Sequence, residues 1–209
     1  MLLVIVILLI DQIIKIWVKT SMSLGESIRV TSWFYINFIE NNGMAYGMQI
    51  GSKLALSLFR VVAIIVLSYY IWQQARKPGV RWSYIVCLSM VLAGAAGNLI
   101  DCMFYGLCFN ASSFHVVSHY VGFGNGYAPF LMGKVVDMFY FPLIETTYPD
   151  WFPIWGGERF IFFSPVFNFA DSSITVGVAS LLLFFRKEIS EITFTGVKKE
   201  KVEEIKETE

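Results

Sequence analysis

Residues 82–105, WSYIVCLSMVLAGAAGNLIDCMFY, run nineteen positions without a charge and then reach Asp101. A helix rises about 1.5 Å per residue, so about 20 apolar residues cross a hydrocarbon core of roughly 30 Å. The stretch therefore predicts a membrane span with a polar end. Three more stretches qualify: 1–18, 54–72 and 162–185. The first lacks the basic start and small-residue cleavage site of a signal peptide, and Asp11 and Lys15 interrupt it. It is read as a retained span.

The whole composition agrees. Of 209 residues, 56% are hydrophobic and only 15% charged, against roughly 45–50% and about 25% in soluble domains. Mean hydropathy is +0.61. Sixteen basic residues balance sixteen acidic ones, so no basic field exists for nucleic acid and no such partner is expected. The aromatic share of 17% excludes a disordered chain. Three cysteines make no disulfide framework, although Cys102 and Cys108 form a possible pair.

Basic residues set the direction. Arg76, Lys77 and Arg81 crowd the connection 73–81, and Arg186-Lys187 follow span four, whereas the connection 106–161 holds only Lys134 and Arg159. Both termini are thus expected in the cytoplasm, with 19–53 and 106–161 outside. In the outer segments, SIRVTSWFYINFIE (27–40) reads as strand or hairpin, and Trp151, Phe152, Trp155, Phe160, Phe162 and Phe163 as an interfacial aromatic belt. The expected fold is a mainly α membrane protein of four transmembrane helices, with a small outer β-cradle formed by segment 27–50 and an extended outer loop. Residues 1–190 form one polytopic domain and 191–209 a charged cytoplasmic tail.

Ionisable groups inside a span cost a few kcal/mol and usually face the bundle interior. Asp11 and Lys15 stand at i, i+4, where they can pair. Gly97-Asn98-Leu99-Ile100-Asp101 and Phe167-Asn168-Phe169-Ala170-Asp171 each place an Asn and an Asp at i, i+3. Opposite span directions bring both pairs to the outer boundary, where Asn41-Asn42-Gly43 and Val135-Val136-Asp137 also lie. Each residue alone has a plain reading as interhelical glue worth about 0.6–2 kcal/mol. Three carboxylates at one depth have a second reading. Two that share a site hold one proton between them. The ionised partner then takes a proton from water while the protonated one polarises a carbonyl, which is amide hydrolysis. His115 and His119 have the spacing of a zinc motif without its glutamate. No metal and no cofactor is expected.

The motifs resemble those of a known family. Asp11-Gln-Ile-Ile-Lys15, Asn41-Asn-Gly43-Met-Ala45-Tyr46, Gly97-Asn98-Leu-Ile-Asp101, Val136-Asp137 and Phe167-Asn168-Phe-Ala170-Asp171 are similar, in order, to the motifs of bacterial lipoprotein signal peptidases (signal peptidase II). The resemblance implies an aspartic endopeptidase of the bacterial cytoplasmic (inner) membrane. Its family cuts prolipoproteins before a diacylglyceryl-modified cysteine, so the implied partners are diacylglyceryl-prolipoprotein substrates and membrane lipid; the chain is expected to act as a monomer. It also implies Asp137 and Asp171 as catalytic. Asp11, Lys15, Asn41, Gly43, Asn98, Asp101, Asn168 and Ala170 would then bind substrate or support the pair. From the residues alone, Asp101, Asp137 and Asp171 compete for two roles.

Three departures stand out. Cys102 occupies the position of a family arginine, Met138 that of an aromatic, and the steps from Asp101 to Asp137 and on to Asp171 are long, at 36 and 34 residues. Longer outer loops cost little. The rival reading is a small proton- or cation-coupled transporter subunit using Asp11, Asp101 and Asp171; charges gathered at one leaflet, without a visible repeat, fit it less well.

Overall fold

A computed structural model of the chain describes residues 1–42 and 52–190. Four long helices frame it: α1 (Leu2–Ser21), α2 (Lys53–Ala75), α3 (Trp82–Ile100) and, after a three-residue α4 (Gly106–Cys108), α5 (Phe169–Phe184); a short α6 (Arg186–Ser190) follows. Among the described residues, α2 and the stretch Trp82–Cys108 are long and apolar enough to cross a membrane, while α5 is shorter. Side chains such as Leu9, Ile13, Phe59, Val62, Ile65, Leu182 and Leu183 stand exposed along the helices. Faces this apolar belong in hydrocarbon, where helices satisfy their own backbone.

Helix α3 lies at the centre, against α1, α2 and α5. It approaches α5 through missing side chains. A Cβ on Gly94 would collide with the Ala170 carbonyl oxygen and lie 2.6 Å from Ile174 Cγ1; one on Gly177 would lie 2.8 Å from Val91 Cγ2. Small residues at such a seam let backbones touch, which is how helices associate where no hydrophobic effect separates them from lipid.

The helix expected over 162–185 starts later, at Phe169. Residues before it are drawn into strands β5 (Arg159–Phe162) and β6 (Val166–Phe167), and Asn168 caps the helix. At the other end α3 outlasts its prediction, continuing through a π-helical turn, Asp101–Tyr105, into α4. The segment behind it closes that end: Gly133 donates to the Cys102 carbonyl at 2.8 Å, and Ala128 to that of Gly106 at 2.9 Å. Gly133 can do so because a Cβ there would collide with the Asp101 carbonyl oxygen.

The expected hairpin exists as β1 (Ser27–Arg29) and β2 (Tyr35–Asn41). The cradle is not built from 27–50 alone. Strand β3 (Val135–Tyr140) joins β2, and β6 joins β3, giving the antiparallel order β1-β2-β3-β6. Residues 43–50 of that segment and the tail 191–209 lie outside the described residues. Beyond the sheet, β4 (Ile144–Thr147) and β5 form a separate hairpin. One face of β3 buries Val136 and Met138 against Val18, Met22, Phe38, Tyr105 and Phe109, which fixes the sheet to α1 and to the end of α3.

The α3–α5 seam yields a prediction. Gly94→Ala should lower the thermal midpoint of the detergent-purified protein, since overpacking costs about 1–3 kcal/mol. An unchanged midpoint would mean that the seam is looser than described.

Candidate active site

Buried Lys15 sits among oxygens from two helices. Its Nζ donates to Asp11 Oδ2 and Asp101 Oδ2, both at 2.9 Å, and to Asn98 Oδ1 at 2.8 Å. The i, i+4 spacing delivers Asp11; the end of α3 delivers the other two. Asp11 spends its second oxygen on the Ala170 backbone N–H at 2.9 Å, tying α1 to the first turn of α5. Asp101 accepts from the Val136 N–H at 3.3 Å, tying α3 to the strand that carries Asp137. Asp101 is therefore a brace, fully buried and held by a lysine.

From Asn98 the network passes to Asp171 and, through Asn168, to Asp137. Its amide nitrogen donates to Asp171 Oδ1 at 2.7 Å, while its oxygen also accepts from Asn168 Nδ2 at 3.1 Å. Asn168 is not on a helical face beside Asp171, as the spacing suggests. It is the extended N-cap of α5, accepting from the Asp171 N–H at 2.8 Å while its own N–H donates to Asp171 Oδ2 at 3.3 Å. This reciprocal capping box satisfies two otherwise orphaned helix donors. The same cap donates Nδ2 to Asp137 Oδ1 at 2.7 Å. One asparagine thus touches both carboxylates.

A β-bulge completes the site. Ile36 pairs with Phe139 and Ile39 with Asp137, so β2 carries one extra residue between them. The extra residue reverses which face the rest of β2 presents. Asn41 consequently lands on the face of Asp137 and donates to its Oδ2 at 3.2 Å. Glu40 turns the opposite way, accepting from Lys19 at 2.6 Å, Ser112 at 2.8 Å and Lys134 at 3.1 Å. Burial alone would raise the Glu40 pKa, but Lys19, Ser112 and Lys134 outweigh it and hold the carboxyl below its usual range. For Asp137 the balance falls the other way. Burial first, and then the charge of Asp171, push its pKa up to about 7 against the hydrogen bonds from Asn41 and Asn168.

Of the residues expected at the site, Asp11, Lys15, Asn41, Asn98, Asp101, Asp137, Asn168, Ala170 and Asp171 meet here, and Gly43 lies outside the described residues. The sequence reading passed over Gln12, whose amide donates to Asp101 at 2.9 Å and accepts from Tyr105 at 3.1 Å. It also passed over Lys19, although 11, 15 and 19 repeat at one helical interval. Cys102 and Cys108 are separate thiols; six residues along a continuous helical segment do not bring them together. Arg60 enters from α2: its guanidinium reaches Cys102 Sγ at 3.3 Å, at the position where the family pattern has its own arginine. His115 and His119 are exposed.

Two outcomes follow. Lys15→Met strands two buried carboxylates, a loss that costs about 3–5 kcal/mol; adding Asp11→Asn and Asp101→Asn should recover part of it, as thermal midpoints in detergent will report. Asp137 binds its proton more tightly folded than unfolded, so stability should fall as pH rises from about 4 to 7, by up to about 1.4 kcal/mol per unit from this group. Asp137→Asn should flatten that part of the curve. An unchanged slope in the variant would contradict the raised pKa.

Over most of its length the chain is similar to known proteins. The family model for signal peptidase (SPase) II matches residues 3–186. A lipoprotein signal peptidase of Porphyromonas gingivalis is 49% identical over 188 residues, covering 90% of this chain and 83% of the relative. One from Amoebophilus asiaticus is 35% identical, covering 87% and 75%. Among solved structures, a bacterial membrane enzyme determined in meso at 1.9 Å resolution superposes with a TM-score of 0.59 at 25% identity, covering 89% of this chain and 91% of its own. Matched over most of its length by one family model, the chain belongs to the signal peptidase II family of aspartic peptidases.

Proposed function

We propose that the chain removes signal peptides from prolipoproteins by cutting before the diacylglyceryl-modified cysteine, with Asp137 and Asp171 as its catalytic pair. The observation that carries this reading is Asn168, which bonds both carboxylates at once and links them to Asn98 and Lys15. Asp101 is spent on Lys15 and on the β3 backbone, which supports assigning the two roles to Asp137 and Asp171.

With its pKa at about 7, Asp137 is the member that holds a proton. Asp171 takes a proton from water as the water oxygen attacks the scissile carbonyl, and the Asp137 hydroxyl donates to the carbonyl oxygen. The tetrahedral adduct collapses when its C–N bond breaks. The nitrogen receives the proton from Asp171, Asp137 recovers its own, and both products leave. Asn41, Asn98 and Asn168 hold the carboxyl planes in register, the kind of fixed positioning that lowers a barrier without reorganisation. Asp11, Lys15, Asp101 and the Ala170 backbone keep the elements bearing those groups together.

Four spans, including α1 and the short α5, would place both termini in the bacterial cytoplasm and the site at the outer leaflet of the inner membrane. Residues 1–190 act as one membrane domain, a monomer, with the charged tail behind it. The substrate's acyl chains stay in the bilayer while its peptide bond meets the pair at the boundary.

In detergent with a diacylglyceryl prolipoprotein, Asp137→Asn and Asp171→Asn should each fold normally and lose cleavage by several orders of magnitude. Wild type should give a bell-shaped rate against pH whose limbs belong to the pair. Near-normal turnover by Asp137→Asn beside a stable, inactive Asp101→Asn would transfer the role to Asp101. A topology reporter should read cytoplasmic at residue 78 and external at residue 125; the reverse readings would move the site to the other face.

A further inference from the structure

Residues 143–164 do something the catalytic reading leaves unused. None of the side chains from Leu143 to Ser164 is buried. Yet β4 and β5 pair in full register, from Ile144↔Phe162 to Thr147↔Arg159, and an isolated two-stranded hairpin is marginal in water. Its two faces differ. Directly opposed residues share a face, so Ile144, Thr146, Phe160 and Phe162 line one side. Glu145, Thr147, Arg159 and Ile161 line the other, crossed by a Glu145–Arg159 ion pair at 2.7 Å. Tyr148 continues the first face, stacking with Phe152 at a ring separation of 5.1 Å and packing on Phe160 at 5.2 Å. Beyond it the tip presents Trp151 at 80% and Ile154 at 86% exposure.

We propose that this hairpin lies in the outer leaflet of the bilayer, its aromatic face and tip seated among glycerol backbones and upper acyl chains. Continuity names the occupant. The hairpin leaves the sheet four residues after β3 and returns seven residues before the first residue of α5. At its base Phe163 packs edge-on against Phe167, next to the Asn168 cap. Its foot is therefore level with the first turn of an apolar helix whose Val176 and Val178, about two turns further on, are themselves uncovered. Tryptophan and tyrosine with an apolar body and a polar atom favour that depth. The net charge of 143–164 is negative, from Glu145, Asp150 and Glu158 against Arg159, so apolar insertion holds it there rather than attraction to anionic headgroups. Seated so, the hairpin anchors the β3–β6 edge of the sheet, and with it Asp137, at fixed height over the membrane. The inference rests on the membrane placement proposed above and not on the peptidase chemistry.

The test uses the full chain in vesicles of phosphatidylethanolamine and phosphatidylglycerol, carrying the environment-sensitive fluorophore NBD at I154C or, on the polar face, at E145C, with the unsubstituted chain as labelling control. Lipid brominated near the glycerol should quench most emission from the first position, and aqueous iodide most from the second. The inference is overturned if the label at 154 is quenched by iodide and indifferent to brominated lipid. Shielding from both quenchers, together with dimers cross-linked through I154C, would also overturn it and assign the face to a second copy. Cleavage of a lipidated substrate by the same labelled samples is read separately, so loss of activity with intact lipid quenching would count against the catalytic reading alone.

Discussion

One buried ammonium organises the site. Lys15 bonds Asp11, Asp101 and Asn98, and each of these reaches a different part of the chain: Asp11 the first turn of α5, Asp101 the backbone of β3, and Asn98 the side chains of Asp171 and Asn168. In lipid, where helices gain little from apolar contact with one another, such bonds fix relative position. A buried charge is costly unless its partners are complete. Here two carboxylates and an amide supply them.

Backbone devices do the aiming. The bulge in β2 decides that Asn41 and not Glu40 faces Asp137, and the capping box decides that Asn168 stands outside the helix where it reaches both carboxylates. The close seam at Gly94 and Gly177 lets α5 approach α3 so nearly that Asn98 can touch Asp171. The Glu40 cluster secures the opposite face of the same β2–β3 ladder to α1 and to the long outer segment, through Lys19, Ser112 and Lys134. That segment is therefore part of the support of the site, covering the exposed carbonyls at the end of α3.

Much of this was legible in the sequence because membranes penalise polar residues: Asp11, Lys15, Asn98, Asp101, Asn168 and Asp171 stand out against apolar runs. What was not legible depends on pairing between distant segments. The bulge at Asn37–Phe38 has no local signature, and the end of α3 gives no sign of its π turn. Asn168 and Asp171 at i, i+3 read as one helical face, although the same spacing is that of a cap and its third residue. The expected span begins early, at 162, because Phe162 and Phe163 are as apolar as a span; only pairing with β4 draws Arg159–Phe162 into a strand. Arg60 could not be joined to Cys102 from sequence, since 42 residues and a turn separate them.

The claim on which the account turns is that Asp137 and Asp171 hold one proton between them near neutrality. Infrared difference spectroscopy of the protein carrying carbon-13 aspartate measures it directly. The account predicts a protonated-carboxyl band that persists to about pH 7, vanishes in Asp137→Asn, and titrates at lower pH in Asp171→Asn because the neighbouring charge is gone. A band absent from the folded wild type above the ordinary carboxylate range, or one unmoved by either substitution, would contradict it.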